Sequence, residues 1–331
     1  MKRIAIIGAG SWGTALAVVA ARAGHNVQLW SRSADVVSSI NERRANSRYL
    51  TSCSVPENVI ATGDMPAALH EASMVLLAAP SHAVRELLTT IAPTLNQPVI
   101  IVSVSKGIEI ESGKRISEIV KEVVGASHPF VCLSGPSFAK EVVAGHPTAI
   151  VAASKDSGAA RAVQNDLSFE NLRIYTNTDV IGTELGGSVK NVMAIAAGMT
   201  AGLGFGSNSV AALITRGLAE ITRLARREGA QVETLMGLAG LGDLVLTCTG
   251  SLSRNRFVGE ELGKGRTLDE IVADLSEVAE GINTARAVKK LADRASLEMP
   301  ITNEVNAVLY DGKPARDAVA ELMSRPLREE V

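Results

Sequence analysis

One stretch near the start of the chain constrains the fold more than anything that follows it. Lys2-Arg3-Ile4-Ala5-Ile6-Ile7 runs straight into Gly8-Ala9-Gly10-Ser11-Trp12-Gly13, and then into a helical segment reaching about Ala23. Ile4 to Ile7 suits a strand buried on both faces. Gly8 permits a tight turn, Gly10 lets a backbone approach a pyrophosphate, and Gly13 lets helix and strand pack closely. The N–H groups of the new helix then face the phosphates. Glycine spacing alone is a weak signal, but here it follows a strand, opens a helix and precedes a second strand at Val27 to Trp30, which together predict a bound dinucleotide. A secretory signal peptide is the competing reading of two basic residues before an apolar stretch. Gly8, Gly10, Ser11 and Gly13 interrupt such a core and Arg22 places a charge late in it. A retained N-terminus and a cytoplasmic protein are therefore expected.

The end of the second strand bears on which dinucleotide is bound. Folds that prefer NAD place a carboxylate about 20 residues past the glycines, where it accepts from the adenosine ribose. This strand ends Leu29-Trp30-Ser31-Arg32-Ser33, with no carboxylate before Asp35. A guanidinium at Arg32 can clamp a 2′-phosphate. NADPH is expected to be preferred, with NADH possible; the competing reading of Arg32 is a solvated strand end.

Length and composition narrow the class. A chain of 331 residues, 46% hydrophobic and 21% charged, should hold about two domains with substantial cores. A net charge of −2 and 3% aromatic residues argue against a nucleic-acid partner. Cys53, Cys132 and Cys248 are far apart and lack metal-ligand spacing, and the five histidines form no paired ligand motif, so no metal is expected. No apolar run reaches the roughly 18 residues of a membrane span once the first strand and helix are set aside.

To about residue 180, short apolar strands alternate with helical stretches: Ser73 to Ala79, Val99 to Ser103, Phe130 to Leu133, Thr148 to Ala153 and Leu172 to Thr176 read as strands. Such alternation predicts a largely parallel sheet covered by helices. Ligands of these sheets lie beyond the C-terminal strand ends, which points to the loops Ala78 to Ser81, Ser105 to Gly107 and Ser134 to Ser137. Beyond Asp179 the periodicity becomes helical, over Val180 to Gly202, Asn208 to Glu228, Thr267 to Asp274, Ile282 to Arg294 and Ile301 to Tyr310. The expected fold is an α/β Rossmann-type N-terminal domain over residues 1–183, followed by an all-α C-terminal domain over residues 184–331. The glycine-rich runs at Gly202 to Gly206 and Gly237 to Gly242 follow no strand and read as turns or close backbone contacts.

Several residues could carry chemistry. Lys190 lies in Gly186-Gly187-Ser188-Val189-Lys190-Asn191-Val192-Met193-Ala194, too apolar and small-residued for a surface helix. Desolvation there lowers a lysine pKa toward neutrality and suits a general base; a lysine snorkelling to water is the alternative. Lys106 follows a predicted strand and reads equally as a positive charge in a cleft or a solvated loop lysine. Asp243 reads as a site carboxylate or as a helix or loop cap. Ser253-Arg254-Asn255-Arg256 groups the donors a small phosphate needs, or forms an exposed polar loop.

Taken together these residues resemble the nicotinamide-dependent glycerol-3-phosphate dehydrogenases. The likeness covers nearly the whole chain: Gly8 to Ala15, Val104-Ser105-Lys106-Gly107-Ile108, Ser134-Gly135-Pro136-Ser137-Phe138-Ala139, Lys190-Asn191, Gly240-Leu241-Gly242-Asp243-Leu244, Ser253-Arg254-Asn255 and Glu280-Gly281, in one order. The bacterial biosynthetic type is the nearer, and it accepts NADPH. The resemblance implies reversible hydride transfer between NAD(P)H and dihydroxyacetone phosphate, giving sn-glycerol 3-phosphate for phospholipid synthesis, in a homodimer. It implies Lys190 as proton acceptor, with Lys106, Gly135, Ser137, Asp243, Ser253, Arg254 and Asn255 around the substrate. It also implies Ser11, Trp12, Arg32, Tyr49, Lys106, Ala139, Arg254, Val278 and Glu280 along the cofactor, beside the glycines Gly8, Gly10 and Gly13. Ser188 departs from the usual Ala or Thr, and Thr51 from the usual Pro after Tyr49-Leu50. Two rival functions stand beside this one: a two-domain NADP-dependent hydroxy-acid dehydrogenase, which needs a carboxylate site rather than a phosphate site, and a noncatalytic NADP(H)-binding sensor, which needs no Lys190.

Overall fold

The computed structural model describes residues 1–275, 278–327 and 329. It divides into two compact units: Met1–Lys106 with Lys114–Glu184, and Gly107–Gly113 with the chain from Leu185 onward.

The first unit is built on eight strands: β1 (Arg3–Ile7), β2 (Asn26–Trp30), β3 (Val59–Thr62), β4 (Met74–Leu77), β5 (Ile100–Ser103), β6 (Phe130–Ser134), β7 (Thr148–Ala153) and β8 (Leu172–Asn177). They form one sheet in the order β3-β2-β1-β4-β5-β6-β7-β8. The order reverses between β1 and β4, the switch point at which such sheets bind ligands. Every neighbouring pair is parallel except β6 and β7. The helix between those two, Ala139–Val143, has only five residues. At about 1.5 Å rise per residue it cannot carry the chain back along a strand, so β7 returns antiparallel. Strand β3 has no counterpart in the sequence reading: it is four residues long, lies at the sheet edge and leaves Ile60 half exposed, so its apolar signal is faint.

Period-two alternation explains why β1 is apolar from Ile4 to Ile7. Ile4 and Ile6 enter a core with Leu16, Val27, Leu29 and Leu76 on one face, while Ala5 and Ile7 join Val75, Leu77, Leu88 and Ile91 on the other. The side chains of Ile4, Ala5, Ile6 and Ile7 are fully buried, each isoleucine contributing about 1.5–3 kcal/mol relative to exposure.

The second unit contains helices and no strand among the described residues. Its axis is the helix Val180–Gly202, whose first turn belongs to the first unit. Buried residues surround this helix because its neighbours approach backbone to backbone. A Cβ on Gly198 would lie 2.0 Å from the Arg256 carbonyl oxygen, and one on Gly259 would lie 1.9 Å from that of Ile195. Glycine is thus required on both sides of the contact with the helix Arg254–Gly263. Residues Gly107–Gly113 also belong to this unit: the Ile110 carbonyl accepts from Lys290 and the Ser112 carbonyl from Arg294. A division of the chain into two consecutive segments does not contain this excursion.

Candidate functional site

In the first unit the strand register brings the dinucleotide motif and its neighbours to one edge of the sheet. Ile7 pairs with Trp30 and Leu77, and Leu77 with Ser103, so β1, β2, β4 and β5 end together. Beyond β1 the chain turns at Gly8, whose φ of +117° disfavours any side chain, and a Cβ there would lie 2.5 Å from the Ala78 carbonyl oxygen. Gly13 is closed in the same way, its Cβ falling 1.9 Å from the Gly8 carbonyl oxygen. Gly10 differs: it caps the helix Ser11–Arg22 and nothing in the protein lies within 4 Å of where its Cβ would be. Protein packing explains Gly8 and Gly13 but leaves the absence of a side chain at Gly10 to what approaches from outside. The residues therefore fit a dinucleotide whose pyrophosphate meets this helix start.

Around this loop, Ser11 Oγ donates to the Tyr49 carbonyl at 2.7 Å, which ties the segment after Arg44 to the glycine loop. The Arg48 guanidinium lies 5.2 Å from the Tyr49 ring centre. Trp12 is half-buried against the core. Arg32 stands two residues past the end of β2 in a turn closed by Ser33 N–H on Ser31 Oγ, with its side chain exposed. Beyond β5 and β6 a second group converges: Lys106 Nζ donates to the Gly135 carbonyl at 2.9 Å and Ser137 Oγ to the same oxygen at 3.0 Å. Gly135 adopts φ +141° with Ile150 packed beneath it, and Ala139 opens the short helix that follows. The loop reading of Lys106 gains an anchor it lacked, since its ammonium is held over Gly135.

The second unit carries the acid–base candidates. Lys190 is 5% exposed on the central helix, and its ammonium donates to Asp243 Oδ1 and, at 2.7 Å, to Thr247 Oγ1. Asp243 is 1% exposed. Burial of a lysine is costly unless its charge is compensated, and this carboxylate compensates it. Lys190 therefore does not snorkel to water. Asp243 opens the helix Asp243–Thr249, which follows a π-helical turn over Leu238–Gly242. A Cβ on Gly186 would lie 2.6 Å from the Ala239 carbonyl oxygen, so glycine lets that turn sit against the Lys190 helix. Thr247 escaped the sequence reading, although its spacing of four from Asp243 puts both on one helix face. Its hydroxyl accepts from Lys190 and donates to the Asp243 carbonyl at 2.6 Å. Cys248, on the same helix, has its thiol pushed up to about 12 by burial and is inert at neutral pH.

The phosphate candidates occupy a helix start rather than an exposed loop. Ser253 is the buried N-cap, its Oγ accepting from Arg256 N–H, and Arg254 and Asn255 form the first turn. The Asn255 side chain is committed within the protein: its Nδ2 donates to Asn191 Oδ1 at 3.0 Å and its Oδ1 accepts from Gly281 N–H at 2.9 Å. What Asn255 has left to offer a ligand is thus its backbone at a helix start, while its amide holds the start of the helix Glu280–Arg294. Glu280 opens that helix, and Val278, two residues before it, is exposed. Among the described residues no group of histidine, cysteine and carboxylate side chains could hold a metal ion, and no helix is long and apolar enough to cross a membrane.

Comparison with known proteins places the whole chain in one context. The N-terminal model of the NAD-dependent glycerol-3-phosphate dehydrogenases matches residues 3–160, and their C-terminal model matches residues 179–320. A glycerol-3-phosphate dehydrogenase, NAD(P)+, of Koribacter versatilis (strain Ellin345) is 53% identical over 335 residues, covering 100% of this chain and 99% of that protein. One from Geobacter sp. (strain M21) is 49% identical, over 99% of both chains. The crystal structure of glycerol-3-phosphate dehydrogenase from Coxiella burnetii superposes with a TM-score of 0.95 at 42% identity, covering 98% of this chain and 99% of that one.

Proposed function

Because the chain belongs to the NAD-dependent glycerol-3-phosphate dehydrogenase family, we propose that it interconverts dihydroxyacetone phosphate and sn-glycerol 3-phosphate with Lys190 as the acid–base group. It is an NAD(P)-dependent oxidoreductase. The observation that carries the assignment of roles is the buried Lys190, held by Asp243 and Thr247 on a helix with no solvent-facing reason to contain a lysine.

The bound nicotinamide supplies or accepts the hydride. The glycine loop, with Ser11 and Trp12, holds the dinucleotide, and Gly10 leaves room for its pyrophosphate. Arg32 supplies charge for a 2′-phosphate, and with it a preference for NADPH. Tyr49, Lys106, Ala139, Arg254, Val278 and Glu280 complete the cofactor set. As the carbonyl of dihydroxyacetone phosphate is reduced, its oxygen needs a proton, which the Lys190 ammonium gives; in the reverse direction the neutral amine takes it back. Asp243 and Thr247 fix the position of Nζ. Lys106, Gly135, Ser137, Asp243, Ser253, Arg254 and Asn255 bind the substrate, the phosphate meeting the Arg254 guanidinium and the N–H groups of the helix start. The resemblance supports a homodimer working in the cytoplasm and supplying the glycerol backbone of phospholipids.

The decisive experiment is oxidation of NADPH by the purified protein with dihydroxyacetone phosphate, unphosphorylated dihydroxyacetone and a panel of keto acids. Turnover of the phosphate ester alone is the expected result. Equal or faster turnover of a keto acid would replace the substrate assignment.

A further inference from the structure

We infer that Asn46 is a positioning residue for cofactor binding, which sets the direction of the Gly10 N–H through its hydrogen bond to the Ala9 carbonyl. The proposal rests on the reading that the glycine loop holds the dinucleotide.

Asn46 is fully buried, 32 residues from Thr14 in the chain, in a segment that ends neither a strand nor a long helix. Its amide is used on every side. Nδ2 donates to the Ala9 carbonyl at 2.9 Å and to Thr14 Oγ1 at 2.8 Å, while Oδ1 accepts from Tyr49 N–H at 3.1 Å and Arg48 N–H at 3.3 Å. Both of its ends therefore do different things: the nitrogen grips the glycine loop and the first turn of its helix, and the oxygen folds the turn that carries Tyr49. A polar side chain so committed in a buried place costs more to disturb than an exposed one.

The Ala9 contact matters because of peptide geometry. In a trans peptide the C=O of one residue and the N–H of the next point in opposite directions, and the described residues contain no cis peptide. With the Ala9 oxygen turned in toward Asn46, the Gly10 N–H is turned the other way, over the side on which Gly10 lacks a side chain. Gly10 has an open face, with nothing within 4 Å of where its Cβ would lie. Of the many conformations open to a glycine it adopts φ −73° and ψ −175°: its own carbonyl is held by Thr14 N–H at 2.9 Å, and the peptide that carries its N–H is held at the Ala9 oxygen by Asn46 at 2.9 Å and by Thr14 Oγ1 at 3.5 Å. Pre-setting a donor in this way lowers the ordering cost of binding an anion there.

Asn46→Asp separates the two ends, because it keeps an oxygen for the Arg48 and Tyr49 N–H groups and deletes the donors to Ala9 and Thr14. The expected result is a rise of about tenfold or more in KM for NADPH, and in Kd for 2′-phospho-ADP-ribose, which contains the pyrophosphate. The kcat at saturating NADPH should stay within about threefold of wild type, because the chemistry is untouched. Inhibition by 2′-AMP, which lacks the pyrophosphate, should be unaltered. A role confined to folding would instead lower the melting temperature and the active fraction, and so kcat, at constant KM; that outcome, or a KM for NADPH equal to wild type, overturns the proposal. Should Asn46→Asp fail to fold, Thr14→Val removes one of the two anchors of Nδ2 without a buried charge; a smaller rise in KM at constant kcat supports the inference and an unchanged KM overturns it. Gly10→Val is the control on the underlying reading. If it leaves NADPH binding intact, the glycine loop is not the pyrophosphate site; if it abolishes binding while the Asn46 and Thr14 variants do not weaken it, only the role of Asn46 falls.

Discussion

The Lys190 ammonium donates directly to the carboxylate of Asp243, a residue 53 positions later in the chain, and both are almost completely buried. Neither can be altered without leaving the other in a state it does not hold in the native protein. Lys190→Met should lower kcat by roughly 10²- to 10⁴-fold, the usual worth of general acid–base catalysis, with little change in cofactor binding. Asp243→Asn should cost about ten- to a hundredfold, the loss of a hydrogen bond to a charged group. Because the two act as one unit, the double variant should be no slower than Lys190→Met alone. Steady-state kinetics on the four proteins check this, and additive losses would mean that Asp243 does not act through Lys190.

That pairing was only half legible in the sequence. The lysine stood out because its neighbours are apolar and small, whereas nothing local ties it to a carboxylate beyond a glycine-rich π-turn. The polar run Arg254-Asn255-Arg256 gave no apolar stripe from which to read the helix Arg254–Gly263, since Gly259 and Gly263 on its inner face are there for backbone contact rather than for burial of side chains. Strands with two buried faces were legible almost to the residue, β7 among them, because runs of Val, Ile and Ala between polar ends have few other homes. Asn46 had no signal at all: its role depends on a hydrogen bond to a carbonyl 37 residues away.

Arg32 provides a test of cofactor choice. Its exposed guanidinium follows β2, beside the strand that leads into the glycine loop. Arg32→Asp should remove a charged contact to the 2′-phosphate and install an acceptor for the ribose hydroxyls, moving the NADPH to NADH ratio of kcat/KM toward NADH by about 1.5–3 kcal/mol or more. An unmoved ratio would make Arg32 a surface residue.

Glu220 makes a prediction about pH. Its carboxylate is buried and accepts from the N–H groups of Ile301 and Thr302 and from Thr302 Oγ1, capping the helix Pro300–Tyr310, yet burial outweighs these bonds and raises its pKa. A carboxyl whose folded pKa lies above its unfolded value binds protons more tightly in the native state. Its contribution is greatest below the unfolded pKa and is lost as pH rises through the folded one. Glu220→Gln removes this titration, so its stability relative to wild type should improve as the pH is raised from 5 to 8. Urea unfolding at the two pH values measures the difference; a relative stability that falls with pH would show that the ionised carboxylate is the favoured form.

Arg254 tests the phosphate itself. It lies in the first turn of a helix capped by Ser253, where backbone N–H groups and the helix dipole already favour an anion. The side chain of Asn255 is committed to Asn191 and Gly281, so the charges this turn carries are the guanidinium groups of Arg254 and Arg256, the latter paired with Glu260 at 3.5 Å, with Ser253 contributing a neutral hydroxyl. A phosphate dianion taken out of water needs charge-assisted donors. Arg254→Ala should therefore reduce kcat/KM for dihydroxyacetone phosphate by at least about 1.5–3 kcal/mol, the scale of a hydrogen bond to a charged group. Arg254→Lys should recover part of that loss, since an ammonium keeps the charge but not the bidentate fork. Unphosphorylated dihydroxyacetone supplies the comparison, because it shares the reacting carbonyl and lacks the phosphate. A loss confined to the phosphate ester supports the assignment, whereas an equal loss on both substrates would move Arg254 from the phosphate to the cofactor or the fold.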